Sequence, residues 1–295
     1  MSQTQLSSAS SYNVDNIIFS DPQVGSIPDS KPAINFKRIF ISTKNADGSI
    51  GELVIPTCKK LFSFGVGENL NQDTGNVNGY VFPICLYSRN ETTKEEKEWV
   101  NTFNKIVDKC KEHLLDNKET IEKYDLDESD LKKFNPLYWK KDKGKIIEDV
   151  GPTLYAKLIM SKKLNKITSI FYDREGRDVD PMELCGKYLT TSAAIKFESI
   201  FIGNKISLQV KLYEAEVNIL QTGIKRLLSN TISNEVKYES KSIDGSMKNS
   251  STDLLVDDDS TSIIEDDEVE EIKPVEVKPV EVKPVKKTVI KKKTK

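Results

Sequence analysis

Residues 188–217 read YLTTSAAIKFESIFIGNKISLQVKLYEAEV, and this stretch decides the fold class. Two β-rich segments, 188–202 and 205–217, flank Gly203-Asn204, a two-residue hairpin signal because both residue types tolerate positive φ. In the second segment Ile206, Leu208, Val210 and Leu212 alternate with Ser207, Gln209, Lys211 and Tyr213. Alternation at period two puts the first set on a core face and the second on a polar, aromatic face. A long antiparallel hairpin with one buried face is expected.

Further strands follow from the same periodicity. Segments 36–42 and 49–55 flank Asn45-Ala46-Asp47-Gly48, whose Asp-Gly is a turn signal, and 79–87 follows a Gly/Asn-rich loop at 65–79. In 153–160, Leu154, Ala156, Leu158 and Met160 face one way, with Tyr155 and Lys157 facing the other, and 166–172 is again β-rich. One helix interrupts this pattern. Trp99, Phe103, Ile106, Val107, Cys110 and Leu114 draw a single apolar stripe over 93–115, and Thr93 with Glu96 (or Thr92 with Glu95) fits a capping box. A second short helix is expected within 119–133, and a short helix or irregular segment at 219–228. Roughly seven strands without βαβ alternation predict a mostly β, mostly antiparallel chain. An OB-type Greek-key barrel with an inserted amphipathic α-helix fits best, a β-sandwich with helical insertions being the competitor.

Charge divides the chain further. The 295 residues hold 46 acids and 44 bases, a net −2, but residues 251–295 alone hold twelve acids and nine lysines. The remaining body is near +1 and carries every aromatic residue. Residues 1–34 read as a poorly ordered arm and 35–230 as the domain. Residues 231–295 read as a disordered tail with an acidic block (253–271), a Lys-Pro-Val-Glu-Val repeat (273–285) and a Lys-rich end (286–295).

Several chemistries are disfavoured. No apolar run approaches the roughly 18 residues of a membrane span, and the polar N-terminus has no signal-peptide pattern. Cys58, Cys85, Cys110 and Cys185 form no close pair, so four buried reduced thiols in a reducing intracellular compartment are expected. The single histidine, His113, is expected in a solvated or helix-end position. Asp173, Glu175, Asp178 and Asp180 around Gly176 lack the spacing of a calcium loop and read as a solvated turn. No metal site, cofactor or catalytic residue is expected.

Bases and aromatics, by contrast, are concentrated together. Residues 131–211 hold sixteen Lys/Arg against nine Asp/Glu. Within them Tyr138 and Trp139 adjoin Lys140, Lys141 and Lys143, Tyr155 shares a strand face with Lys157, and Lys211 shares one with Tyr213. Lys196-Phe197 and Lys205 lie on the final hairpin. Aromatic planes that stack unpaired bases, interleaved with cations that track phosphates, are what single-strand binding requires.

Four stretches then carry a resemblance: Asn135-Pro-Leu-Tyr-Trp-Lys140, the run 151–158 (GPTLYAKL), Asp180-Pro181 with Gly186-Lys187, and 195–212. Together, over roughly residues 35–220, they resemble the single-stranded-DNA-binding protein family of nucleocytoplasmic large DNA viruses. That family is a distant relative of the podophage OB-fold protein with an acidic C-terminal tail. The resemblance implies an OB-fold, single-stranded DNA as ligand, a replication, recombination or repair role, and viral replication proteins as partners reached through the tail. It places the binding residues at Tyr138, Trp139, Lys140, Tyr155, Lys157, Lys196, Phe197, Lys205 and Lys211. Unlike the phage relatives, this chain has no aromatic after Tyr238, which argues against partner capture by a terminal aromatic. The ten acids between 253 and 271 could instead compete with DNA for the basic face. A scaffold or virion-associated interaction module with a charged tether is the rival expectation.

Overall fold

The computed structural model describes residues 4–27, 34–70, 75–88, 91–147, 150–161, 163–164 and 166–220. The chain opens with β1 (Gln5–Leu6), β2 (Ile17–Phe19) and β3 (Gln23–Ile27), then the longer β4 (Ile34–Lys44) and β5 (Ile50–Pro56). Next come β6 (Leu61–Ser63), β7 (Gly67–Leu70), β8 (Val77–Cys85) and the helix α1 (Lys94–Asp116). Short strands β9 (Leu137–Trp139), β10 (Lys141–Asp142) and β11 (Lys145–Ile146) precede β12 (Pro152–Leu158). After β13 (Met160–Ser161), β14 (Lys166–Ile167) and β15 (Ile170–Tyr172), the described chain closes on β16 (Leu189–Ile202) and β17 (Ile206–Ile219).

Five of these strands form a ring. β6 pairs with β8, β8 with β12, β12 with β17, β17 with β16, and β16 returns to β6. In chain order the ring runs first, second, third, fifth, fourth. All pairings are antiparallel except that of the third strand with the fifth, β12 with β17, which is parallel. This is the closed Greek-key barrel of the OB type, as the periodicity predicts. β16 also extends past the ring to pair with β4 and β5, and register shifts at Ala194/Ile195 and Phe197/Ser199 let one strand serve both sheets.

The inward faces meet α1 in one core. Thr93 caps the helix, its hydroxyl accepting from the Glu96 N–H while the Glu96 carboxylate accepts from the Thr93 N–H, so both halves of the capping box form. The predicted stripe, Trp99 through Leu114, is buried, and Phe103 packs on Phe197 with ring centroids 5.0 Å apart. Trp99 also donates from Nε1 to the Pro56 carbonyl at 2.8 Å, tying the helix to the end of β5.

Several expectations are corrected. Residues 4–27, read as a poorly ordered arm, pair with the body: β1 runs parallel to β5, and β2 and β3 run antiparallel to β4. The arm's polar composition hid this, because edge pairing uses backbone groups rather than apolar side chains. Residues 119–133 form turns instead of a second helix, held to the core by Ile121, Leu126 and Leu131. The final hairpin has a three-residue loop: Ile202 pairs with Ile206, and the Gly203 N–H donates to the Lys205 carbonyl at 3.2 Å. The polar face of β17 is not open to solvent along its length, since Gln209 and Lys211 are buried along with Leu208, Val210 and Leu212. All four cysteines are free thiols, but only Cys110 is buried and Cys185 is exposed. The segments expected at 221–228 and throughout the tail, 231–295, lie outside the described residues.

Candidate nucleic-acid interface

The register orders the outer surface of the barrel into rows. On β12, Leu154, Ala156 and Leu158 are buried while Thr153, Tyr155 and Lys157 face out. Thr153 lies opposite Cys85 of β8 and Tyr138 of β9, and Cys85 lies opposite Phe62 of β6. One lateral row therefore runs Phe62–Cys85–Thr153–Tyr138 across four strands. Tyr155, opposite Pro83, begins the next row, and Lys157, opposite Val81 and Lys211, the one after. Rows two residues apart are separated by about 7 Å along the strands. The third barrel strand and β9 thus place Tyr138 and Tyr155 toward one end of this face and Lys157 toward the other, with Cys85, Pro83 and Val81 of the second strand alongside.

Tyr138 is 45% exposed and meets Tyr155 edge to face, with ring centroids 6.3 Å apart at 78°. Burial, and then the neighbouring Tyr138 and Cys85, push the Tyr155 phenol above its ordinary value. The Tyr155 ring therefore stays neutral at physiological pH and can stack on a base without repelling its phosphate. Trp139 is a correction. Alternation along β9 turns it away from Tyr138, and it packs against the core and edge-on to Tyr87 at 6.3 Å.

Directly after Tyr138 and Trp139 the chain forms the hairpin β10–β11, Lys141 pairing with Ile146 and Asp142 with Lys145. Its turn holds Lys143 and Gly144 at φ 47° and 81°, the paired positive values of the tight turn that suits the strand twist. Lys140, Lys141 and Lys143 are all exposed there. Lys205 is exposed in the loop between β16 and β17.

The remaining candidates are engaged by the protein itself. Lys196, Lys211 and Lys157 stand side by side in one row over β16, β17 and β12. Lys196 pairs with Glu52 at 2.7 Å, Lys211 with Glu198 at 3.4 Å, and Lys157 donates to the Gln209 side-chain Oε1 at 2.8 Å. Lys211 is only 6% exposed, so its placement as an open phosphate contact is corrected. Phe197 is corrected outright: at 0% exposure it lies in the core against α1. Alternation is the cause: Phe197 shares the buried side of β16 with Ile195 and Ser199, so it lies on the side opposite its neighbour Lys196. Tyr213 sits half-buried at the bulge on β17.

The structure also adds a site that alternation did not single out. Phe62, Phe64 and Tyr188 form an aromatic triple outside the barrel: Phe62 stacks on Tyr188 at 5.8 Å and meets Phe64 edge-on at 5.1 Å. Phe64 and Tyr188 are 45% and 47% exposed. The signal was present as Phe62-Ser63-Phe64, two aromatics at strand spacing, but Tyr188 joins them only through the tertiary fold. Gly65 makes that approach possible. At φ +82°, a Cβ there would lie 2.2 Å from the Leu184 carbonyl oxygen and 2.6 Å from that of Lys187.

Other chemistry-bearing groups have structural explanations. Asp173 closes a hairpin turn, accepting from the Glu175 and Arg177 N–H groups and pairing with the Arg177 guanidinium, which holds its carboxyl below the usual range. Among the described residues no group of three or more His, Cys, Asp or Glu could hold a metal ion. The Cys185 thiol is pushed up by partial burial and by Glu68 and Asp180, and burial pushes Cys110 to about 12. His113 is half-buried, stacked on Phe19 at 4.0 Å.

Relatives of the chain are viral. It is 27% identical over 166 residues to "Uncharacterized protein 007R" of Invertebrate iridescent virus 3, covering 55% of this chain and 35% of that protein. It is 28% identical over 158 residues to "Early 31 kDa protein" of Frog virus 3 (isolate Goorha), covering 52% of this chain and 59% of that protein. The chain thus matches less than two thirds of the length of either relative. Among the described residues no helix is long and apolar enough to cross a membrane. Residues 11–254 match the family described as protein of unknown function (DUF2738), and the chain belongs to that family.

Proposed function

We propose that this protein binds single-stranded DNA without sequence preference and coats it during viral genome replication, recombination or repair. The observation that carries the reading is the Tyr138–Tyr155 pair on the outer face of the third barrel strand and its neighbour, beside a hairpin bearing Lys140, Lys141 and Lys143. In OB-type barrels the face of the second and third strands is a favoured surface for oligonucleotides. Rings on that face supply stacking at about 1–3 kcal/mol per base, and the adjacent ammonium groups supply the phosphate contacts. The relatives support a viral setting, and the sequence resemblance alone supports the replication role.

The test is a fluorescence-anisotropy titration against oligo-thymidylate, a duplex and an RNA strand of equal length, repeated across salt. The proposal expects preference for single-stranded DNA and a log–log salt slope near −0.7 for each phosphate contacted. No binding, or a slope near zero, would overturn it and favour a protein-interaction module.

A further inference from the structure

The aromatic triple, buried at Phe62 and exposed at Phe64 and Tyr188, lies on the same strand row as Tyr138. Thr190, Phe62, Cys85, Thr153 and Tyr138 are successive partners across β16, β6, β8, β12 and β9. Phe64 and Tyr188 keep the outward parity of Phe62 and Thr190, and their rings close over Phe62. Three strand spacings separate Phe62 from Tyr138, about 14 Å along the sheet. Between them the row carries only Cys85 and Thr153, small side chains whose Sγ and Oγ1 lie 3.9 Å apart. Two aromatic groups thus flank a low saddle on one continuous face.

The immediate surroundings of the triple suit an anion. Lys187 precedes Tyr188, and its exposed side chain has no ion-pair partner among the described residues. Lys60 lies two residues before Phe62, exposed, with its N–H on the Ser192 hydroxyl at 3.4 Å. Rings nearly half exposed beside unpaired cations are a poor arrangement for water alone and a good one for a chain of bases joined by phosphates.

We infer that Phe64 and Tyr188 form a second base-stacking station, so that a bound single strand crosses the barrel laterally, from Tyr188 over Cys85 and Thr153 to Tyr138, with Lys187 on its phosphates. This inference rests on the single-strand reading above and adds the path of the strand.

The test uses the full chain with oligo-thymidylate of about 16 nucleotides and an abasic strand of equal length. Phe64→Leu and Tyr188→Leu keep an apolar cover over Phe62 and remove the aromatic plane, and thermal melts confirm that each variant folds. Each substitution is expected to weaken oligo-thymidylate binding by about 5- to 150-fold and to leave abasic binding unchanged. Lys187→Ala is expected to reduce the salt slope by about 0.7. If wild type binds and Tyr138→Ala weakens it while both Leu variants bind as wild type, the second station is overturned and the single-strand reading stands. If wild type binds neither strand, both fail. If the Leu variants instead dissolve a dimer in sedimentation with binding unaltered, the triple is an interface between copies and the inference is overturned.

Discussion

Tyr138 and Tyr155 meet edge to face across β9 and β12, ring centroids 6.3 Å apart, while Trp139 turns to the opposite side of β9. The two adjacent aromatics should therefore respond differently to truncation. Tyr138→Ala is expected to weaken oligo-thymidylate binding by about 1–3 kcal/mol with an unchanged melting temperature. Trp139→Ala should lower the melting temperature first, as a partly buried ring lost from the core. Paired melts and titrations on the two variants check this.

Lys211 and Glu198 form a nearly buried pair, with side chains 7% and 15% exposed. Removing one partner strands the other, at a cost of about 3–5 kcal/mol. Lys211→Met should then destabilise strongly, and adding Glu198→Gln should restore much of the loss. Urea unfolding of the two singles and the double measures the coupling; additive losses would mean the pair contributes nothing.

Lys143 sits at φ 47°, a left-handed backbone that asparagine adopts more readily than lysine. Lys143→Asn removes the charge and relieves the turn. The variant should melt no lower than wild type yet show a salt slope shallower by about 0.7 for single strands. An unchanged slope would show that the hairpin does not reach the phosphates.

His113 has its pKa lowered, first by burial against Phe19 and then by Lys109, with Asp116 opposing. A histidine whose folded pKa lies below its unfolded value near 6.5 binds fewer protons when folded. Its contribution to stability is complete above that value and is lost as pH falls through the window below it. His113→Phe keeps a ring on Phe19 without the proton. Its melting temperature should fall less between pH 7.5 and 5.5 than that of wild type.

The described chain ends at Leu220, whose N–H donates to the Tyr188 carbonyl at 2.9 Å, beside the aromatic triple. The acidic block at 253–271, with ten acids and no base, follows later in the chain. As a competitor for the same cationic face, it should weaken DNA binding in the intact protein. Truncation after residue 250 is expected to tighten binding severalfold at low salt and less at high salt; unchanged affinity would argue against competition.

The amphipathic stripe and capping box of α1, and the strand alternation around Leu154 and Leu208, are local signals, and they made the mostly β architecture with one helix legible from the chain alone. That Tyr138 and Lys143 stand near one another was legible for the same reason, since they are neighbours on one short segment. The roles of Phe197, Lys196 and Lys211 were not. Their environments depend on partners from β5, α1 and elsewhere along β16, between 13 and 144 residues away in the sequence. The triple of Phe62, Phe64 and Tyr188 likewise exists only because β6 pairs with β16. Periodicity by itself determined which segments are strands and which of their faces is apolar. Ring closure alone decided which outward side chains stand next to one another, because cross-strand register is set by packing and backbone pairing between segments distant in the chain.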